Sequence, residues 1–313
     1  MAIDTSNSID ETKTGKDLYS YQKGAIDKIF TAFDDAPEDY HLLYQLPTGG
    51  GKTVIFSEIV RQYLKNHNKR VLIMTHRIEL LSQTSKMLTE FGVINKVVNS
   101  TANLDDQDQY SCFVAMVETL NNRLQDEKFD ISNIGLVIID EAHYNSFTKL
   151  FGYFDKSFIL GVTATPLSSN IKLPMNDNYN ELIVGETIEA LIENEFLSRA
   201  NTYSYNVGLT SLEIGANGDY TVKSSEDLYT TNDMLSKLMH AYEEHSKGKK
   251  TLIFNNGINT SLHVYDAFNY AGYPVRHLDN TATKKQRQKI LEWFHLTPDA
   301  ILTSVSILTT GFD

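Results

Sequence analysis

From Asp17 onward, the apolar positions of the chain alternate between two spacings. Stretches in which apolar residues recur every three or four positions predict helices. Between most of them lie short apolar runs that are bounded by polar turns and predict strands. This alternation is typical of an α/β fold with a parallel sheet. The first series of predicted strands, enough for one doubly wound domain, is 41–45, 70–75, 112–117, 134–139 and 158–163.

The pattern changes after Pro166. Residues 167–179 are a polar stretch, 186–195 predict a helix, and 211–225 are rich in Gly, Ser and Asn. Such a composition is typical of a connection between domains. The alternation then resumes, with predicted helices at 232–246, 261–270 and 284–294 and predicted strands at 251–254, 275–278 and 300–304.

This organisation predicts four segments. At 313 residues the chain is long enough for two domains of ordinary size. The first 18 residues are polar and mixed in charge, which predicts a disordered lead and not a signal peptide. The predicted segments are the lead at 1–18, a first lobe at 19–182, a connecting segment at 183–230 and a second lobe at 231–313.

Composition narrows the class of protein. Apolar residues make up 41% and charged residues 22% of the chain, which is ordinary for globular proteins. No stretch approaches the ~18 consecutive apolar residues of a membrane helix. Cys112 is the one cysteine, so a disulfide framework is excluded, and its apolar surroundings favour a buried strand residue over a reactive thiol. We therefore expect no membrane partner and a reducing, cytoplasmic location.

The formal net charge of −12 argues, taken alone, against a nucleic-acid partner, because binding to a phosphate backbone depends on positive surface. Net charge does not say where the charges lie. A cleft lined with backbone N–H groups, hydroxyls and a few Arg or Lys side chains holds phosphates on an acidic protein as well. The charge balance therefore leaves this class of partner open.

A glycine-rich loop lies where a predicted strand meets a predicted helix. Residues 49–51 are glycines, and Lys52 and Thr53 follow at the start of the helix. Glycines let successive backbone N–H groups turn inward, Lys52 can reach the outer phosphates of a nucleotide, and Thr53 offers a hydroxyl to Mg²⁺. The strict phosphate-loop pattern has glycine where this chain has Leu46, so a merely mobile connection is the alternative.

Two carboxylates follow a second strand pattern about ninety residues later. The apolar run 135–139 ends in Asp140 and Glu141. In a phosphate-loop fold a carboxylate at the carboxyl end of a parallel strand faces the phosphates, so Asp140 can hold Mg²⁺ opposite Thr53. Glu141 can then orient and deprotonate the attacking water. Taken alone, the pair is also compatible with a solvated loop or a helix cap.

Three segments together resemble motifs I, II and III of the superfamily 2 helicases of the DEAD/DEAH-box type. They are the runs 46–53 (LPTGGGKT), 140–143 (DEAH) and 161–166 (GVTATP), and a residue other than glycine at position 46 is ordinary in that family. The resemblance implies an α/β fold with two RecA-like P-loop lobes that have parallel sheets, the second lobe being incomplete. It also implies an enzyme that hydrolyses ATP with Mg²⁺ as cofactor.

The resemblance carries roles over to individual residues. For catalysis they are Lys52, Asp140 and Glu141, and for Mg²⁺ they are Thr53 and Asp140. For coupling of the nucleotide pocket to the bound strand they are His143, Thr163 and Thr165. For nucleotide binding they are Gln22, Thr48, Gly49, Gly50, Gly51, Lys52, Thr53, Gly311 and Asp313. Gln22 would select adenine; a surface glutamine on a helix is the alternative. For Thr163 and Thr165 the alternative is a threonine-rich strand end before a turn.

Two further segments resemble the motifs that hold nucleic acid. The run 75–80 (THRIEL) resembles motif Ia and the run 307–313 (ILTTGFD) resembles motif V. In this form they are closest to RadD, XPB and the motor subunits of type I and type III restriction enzymes, which favours DNA over RNA as the track. The contacts implied to the phosphate backbone, independent of sequence, are Thr75, His76, Arg77, Thr119, Thr309 and Thr310. For Arg77 the alternative is a surface residue near Glu79.

The glutamine and arginines of motif VI do not appear before the last residue, Asp313. In the family those arginines reach the γ-phosphate, and such an arginine accelerates phosphoryl transfer strongly. We therefore expect a truncated polypeptide that binds ATP better than it hydrolyses it. The alternative function is a nucleotide-dependent nucleic-acid-binding module without turnover. The sequence does not decide between strand separation and translocation, nor does it give the polarity of movement.

Overall fold

The computed structural model describes residues 9–13, 15–37, 39–168, 172–215 and 218–305. The chain divides into two compact units, Met1–Ala200 and Asn201–Asp313. The division falls inside the segment 183–230 that the sequence predicts as a connection. Both units are mixed α/β structures whose described strands pair in parallel.

The first unit is built on a seven-stranded parallel sheet. Its strands are β1 (His41–Gln45), β2 (Arg70–Thr75), β3 (Lys96–Val98), β4 (Cys112–Met116), β5 (Ile134–Asp140), β6 (Phe158–Thr163) and β7 (Glu181–Val184). Their order in the sheet is β3-β4-β2-β5-β6-β1-β7. The five strands predicted from sequence are confirmed, each within one residue. The additional strands β3 and β7 lie at the two edges.

Helices cover both faces of this sheet, as buried parallel strands require. They are α1 (Ser20–Asp34), α2 (Lys52–Asn66), α3 (Ile78–Glu90), α4 (Val117–Gln125) and α5 (Ile188–Glu193), with a 3-10 helical stretch at Asn145–Tyr153. Every residue of β5 is buried and the strand feeds two cores. Leu136 and Ile138 pack in one core with α1, α2 and α3, whereas Val137 and Ile139 pack in the other with α4.

The described part of the predicted lead runs beside α3. Ile9 forms an antiparallel bridge with Val93, and the N–H of Asp10 donates to the carbonyl of Gly92 at 2.7 Å. Ile9 and Leu18 are partly buried against the first core. These contacts attach the described part of the lead to the turn that follows α3.

The second unit has a smaller parallel sheet with strands in the order β8-β10-β9. The strands are β8 (Thr251–Asn255), β9 (Val275–Leu278) and β10 (Ile301–Val305), and the helices are α6 (Val222–Tyr229), α7 (Asn232–His245), α8 (Ile258–Tyr270) and α9 (Lys284–Leu296). Ile301 packs on one face with side chains of α7 and α8, whereas Leu302 packs on the other face with Phe294 of α9. The prediction of a second α/β alternation is confirmed.

Cys112 lies fully buried in β4, and burial raises the pKa of its thiol far above the usual value, which makes it unreactive. Within the described ranges, every helix is too short or too polar to cross a lipid bilayer.

A buried arginine joins the start of β2 to two loops. The Arg70 side chain has no exposure, and its guanidinium donates to Asp108 Oδ1 at 2.9 Å and to Asp130 Oδ2 at 3.2 Å. Although burial raises the pKa of Asp130, hydrogen bonds from Ser132 and the charge of Arg70 hold it below the ordinary value. A buried cation is costly unless it is paired, so these carboxylates stabilise the fold.

Asp130→Ala is expected to lower the free energy of unfolding by about 2 kcal/mol, because Arg70 loses one of two partners and remains buried. The matched control is Asp126→Ala, which removes an exposed pair with Lys128 and is expected to cost less than about 0.5 kcal/mol. Urea unfolding at pH 7 measures both. A carboxylate whose pKa is lowered on folding, as that of Asp130 is, stabilises the fold at pH values above its unfolded pKa, and this contribution is lost as the pH falls through its folded pKa. The difference between the variants should therefore shrink below about pH 4. Equal losses in the two variants at pH 7 would contradict the assignment.

Candidate active site

The motif residues lie at one edge of the first sheet. The phosphate loop follows β1, the acidic pair ends β5, and Thr163 ends β6, which pairs with both of those strands. Because all three strands are parallel, their carboxyl ends meet at the same edge. Ligands of open α/β sheets bind at this edge, so the topology alone brings motifs 90 to 120 residues apart into one site.

The phosphate loop joins β1 to the first turn of α2. The N–H of Leu46 donates to the carbonyl of Thr163 at 3.0 Å, which ties the loop to β6. Lys52 Nζ donates to the Leu46 carbonyl at 3.3 Å, so the ammonium lies back over the loop. Gly51 caps α2 with a φ of 83° and without a side-chain hydrogen bond. The first N–H groups of α2 are therefore not taken by a cap and can bind an anion.

Gly51 has a backbone conformation and a neighbour that exclude a side chain. Its φ is left-handed, and a Cβ there would lie 2.5 Å from Nε2 of the buried Gln22. Gly49 has a φ of 81° and a Cβ on it would meet Leu197 at 2.8 Å. The glycines thus allow the loop to curve and to pack closely against Gln22 and Leu197.

Gly51→Ala is expected to lower nucleotide affinity at least tenfold and the free energy of unfolding by about 1–3 kcal/mol, since the added methyl group both strains the backbone and displaces Gln22. Titration with a fluorescent ATP analogue and urea unfolding measure the two effects. Gly152→Ala is the control, because a Cβ there meets nothing within 4 Å. The interpretation fails if the two variants behave alike.

Gln22 lies buried in the first turn of α1 beside the phosphate loop, with an exposure of 4%, which excludes the alternative of a surface glutamine. Its Oε1 accepts from the N–H of Tyr19 at 3.0 Å, and its Nε2 donates to Tyr21 Oη at 3.4 Å. Tyr21 Oη in turn donates to the carbonyl of Gly50 at 2.7 Å. This chain of hydrogen bonds connects the start of α1 to the loop, and selection of adenine by Gln22 remains a prediction.

The acidic pair begins at the last residue of β5. Asp140 is buried, and its Oδ1 accepts the N–H of Glu141 at 3.0 Å. Glu141 has a φ of 53°, which is uncommon for a residue with a side chain. Burial, and secondly the charge of Glu141, raise the pKa of Asp140 to about 7, whereas the charge of Lys52 lowers it. The ammonium of the phosphate loop and the two carboxylates thus share one electrostatic environment.

The donor set fits a magnesium ion. Asp140 offers a buried carboxylate whose charge the protein alone neutralises poorly, and Thr53 offers a hydroxyl at the start of α2. Among the described residues, no group of three or more His, Cys, Asp or Glu side chains is arranged to hold a metal. One carboxylate with a hydroxyl, completed by water and phosphate oxygens, is the kind of site that Mg²⁺ uses with nucleotides.

The predicted coupling residues are joined by hydrogen bonds. His143 Nδ1 lies 3.0 Å from Thr163 Oγ1 and 3.4 Å from Glu141 Oε2. Thr163 Oγ1 also accepts the N–H of Thr165 at 3.1 Å. Burial lowers the pKa of His143, with Glu141 acting against this and Lys52 adding to it. A neutral His143 therefore connects the acidic motif to the end of β6.

The predicted nucleic-acid contacts lie further along the same edge. Thr75 ends β2 and is fully buried, and its hydroxyl donates to the carbonyl of Arg77 at 3.3 Å, so in this conformation it supports the turn. His76 and Arg77 are half-buried, and so is Thr119 in the first turn of α4. Their strands, β2 and β4, are neighbours. The other predicted residues, Thr309, Thr310, Gly311 and Asp313, lie outside the described residues.

Two groups of aromatic residues beside the motifs were not predicted. Phe196 packs against Tyr19 and Tyr21, with ring centroids 4.5 and 5.0 Å apart, next to the phosphate loop. Tyr144 contacts the rings of both His76 and His143. Phe196 belongs to the segment interpreted as a connection, where no motif marks it. The position of Tyr144 directly after the DEAH run was the one signal available.

Two family models match the chain. The first, described as the res subunit of type III restriction enzymes, matches residues 15–168, and the second, described as the conserved C-terminal domain of helicases, matches residues 230–313. A 51.5 kDa protein of a Lactococcus phage is 28% identical over 87% of this chain and 56% of its own length. IRC3 of Saccharomyces cerevisiae, named as a candidate ATP-dependent helicase, is 26% identical over 95% of this chain and 45% of its own length. The chain thus spans about half the length of these curated relatives.

Solved structures support the fold. The type ISP restriction-modification enzyme LlaBIII, solved bound to DNA, superposes with a TM-score of 0.65 at 16% identity, over 96% of this chain and 25% of that one. The helicase domain of Pyrococcus furiosus Hef superposes with a TM-score of 0.52 at 13% identity, over 92% of this chain and 85% of that one. These likenesses concern the fold alone. The two family models match the two units in order, and on them the chain belongs to the superfamily 2 helicases.

Proposed function

We propose that this chain is the motor of an ATP-dependent helicase or translocase, which couples hydrolysis of Mg-ATP to movement along a nucleic-acid backbone. The observation that supports it most is that one edge of the first sheet carries the phosphate loop, Asp140 and Glu141. The same edge carries the turn after β2, which β5 and β6 separate from the loop. A site for phosphoryl transfer thus lies beside a candidate surface for a strand.

The chemistry follows from the residues at this edge. Lys52 would hold the outer phosphates, and the free N–H groups of α2 would bind the phosphate oxygens, so the γ-phosphate faces the end of β5. Glu141 would accept a proton from the attacking water. When bound by Thr53 and Asp140, Mg²⁺ would neutralise charge on the phosphates.

Coupling would use the hydrogen bonds around His143. Its Nδ1 has both Glu141 and Thr163 within 3.4 Å, so a movement of the Glu141 carboxylate would alter the contact with Thr163. Thr165 would carry that change into the loop after β6. The first lobe would in this way respond to the state of the nucleotide.

DNA is the favoured track. ATP-dependent DNA helicase MPH1 of Scheffersomyces stipitis is 29% identical over 41% of this chain and 14% of its own length, and LlaBIII was solved bound to DNA. Contacts by His76, Arg77 and Thr119, and by the motif V hydroxyls of Thr309 and Thr310, would be to the phosphate backbone and independent of sequence. With a net charge of −12, binding would depend on these local groups.

The test is ATP turnover by the purified chain with Mg²⁺, alone and with single-stranded DNA, double-stranded DNA or RNA of equal length. Stimulation by DNA above RNA, lost in Glu141→Gln, is the expected result. Stimulation by RNA alone would transfer the assignment to an RNA motor. Retained nucleotide and DNA binding with no turnover under any condition would replace the proposal with a nucleotide-dependent binding module.

A further inference from the structure

Three rings lie in a row between the turn after β2 and the DEAH run, each in tilted contact with the next; this row is called the ring stack below. The ring centroids of His76 and Tyr144 are 4.0 Å apart with an interplanar angle of 35°. Those of Tyr144 and His143 are 4.3 Å apart with an angle of 36°. At these separations the rings are in direct contact, and because packed groups resist overlap steeply, a displacement of one ring must move the next.

One end of the stack is tied to the proposed catalytic groups. The orientation of the His143 ring depends on Thr163 and Glu141, whose oxygens lie 3.0 and 3.4 Å from its Nδ1. Both of those residues belong to the nucleotide edge. The hydrogen bonds through Thr163 lead toward β6, whereas the ring stack leads the opposite way, toward β2.

The other end of the stack is tied to a proposed backbone contact. Arg77 Nε donates to His76 Nε2 at 3.2 Å, so the imidazole accepts at this nitrogen and carries its proton on Nδ1. That Nδ1 is buried and has no hydrogen-bond partner among the residues that the structure describes. Burial, and then the charge of Arg77, lower the pKa of His76 to about 4, which keeps the ring neutral.

The lack of a partner at Nδ1 has a mechanical consequence. An imidazole that is hydrogen-bonded at both nitrogens is fixed by those bonds, whereas His76 is held by one bond and by the face of Tyr144. A buried donor without a partner is also unfavourable, which lowers the cost of moving the ring to a new position. The position of His76, and with it the Arg77 guanidinium, therefore depends on Tyr144.

We propose that Tyr144 is the positioning residue that transmits the state of the nucleotide edge to the turn after β2, and so sets how strongly nucleic acid stimulates ATP turnover. The inference rests on the proposed function, whose nucleotide and strand contacts it connects. Because coupling between two sites is reciprocal for binding, nucleotide would alter DNA affinity through the same rings.

The first experiment compares Tyr144→Leu, which removes the ring, with Tyr144→Phe, which keeps it. In the leucine variant we expect turnover without DNA to stay within about twofold of wild type and the KM for ATP to be unchanged. Turnover at saturating DNA should fall about tenfold, a loss of about 1.4 kcal/mol in stabilisation of the transition state. Tyr144→Phe should keep the stimulation. The proposal is overturned if the leucine variant is stimulated like wild type, or if its DNA-free turnover falls in parallel.

A second measurement follows the rings without turnover or DNA. The imidazole resonances of His76 and His143 are assigned with single His→Gln variants and followed as Mg²⁺ and a non-hydrolysable ATP analogue are added. In wild type the resonances of both residues should shift. In Tyr144→Leu only those of His143 should shift; Tyr144→Ile replaces this variant if the leucine variant does not fold. If the His143 resonances of wild type shift and those of His76 do not, the proposed role of Tyr144 is overturned and the proposed function stands. If neither set of resonances shifts, the nucleotide site itself is wrong, and the proposed function fails together with the proposed role of Tyr144.

Discussion

Glu141→Gln is expected to lower ATP turnover about 10²–10⁴-fold and to leave nucleotide affinity within a few-fold of wild type. Glutamine has the size and shape of glutamate and can still contact His143, whose Nδ1 lies 3.4 Å from the carboxylate, but it cannot accept a proton from water. The loss should therefore appear in kcat and not in KM, as it does when an interaction acts only in the transition state.

The structure offers a matched control for this substitution. Glu127 has the same φ of 53° as Glu141 and is exposed, so Glu127→Gln repeats the chemical change and the backbone conformation away from the site. Its turnover should equal that of wild type. Turnover of Glu141→Gln within tenfold of wild type, or a parallel loss of nucleotide binding, would remove Glu141 from the role of general base.

The strands that carry the site could be predicted because their sequences are unambiguous. All seven residues of β5 are buried between two layers of helices, so the strand has no polar side chain before Asp140, which lies at the edge of the sheet. The phosphate loop was equally clear, since three adjacent glycines before Lys-Thr have few other uses between a strand and a helix. Local sequence therefore determined both halves of the candidate site.

What could not be predicted depends on contacts between distant residues. The edge strand β3 has three residues and β7 is mostly exposed, so neither produces a detectable alternation. The sequence does not show that Tyr144 contacts His76, because 68 positions separate them and only the pairing of β2 with β5 brings the turns together. Arg70 is the first residue of a predicted strand, and its burial depends on carboxylates 38 and 60 positions further along the chain.

Asp140→Asn is expected to separate stability from activity. Burial and the charge of Glu141 raise the pKa of Asp140 to about 7, well above the value of about 3.9 in an unfolded chain. A carboxyl whose pKa is raised on folding favours the fold while it is protonated, and this contribution is lost as pH rises through the folded value. At pH 8, without nucleotide or Mg²⁺, wild type therefore bears an ionised buried carboxylate that asparagine does not have.

The variant should accordingly unfold several degrees above wild type at pH 8, and the difference should diminish toward pH 5, where Asp140 is mostly protonated. Its turnover with Mg²⁺ should fall about 10²–10³-fold, because the charged ligand for the cation is lost. Asp155→Asn, at an exposed position, is the control and should change neither quantity. A variant that unfolds below wild type at pH 8 would mean that the fold itself stabilises the ionised carboxylate. Asp140 would then be a structural residue, and the magnesium site would have to be placed elsewhere along this edge.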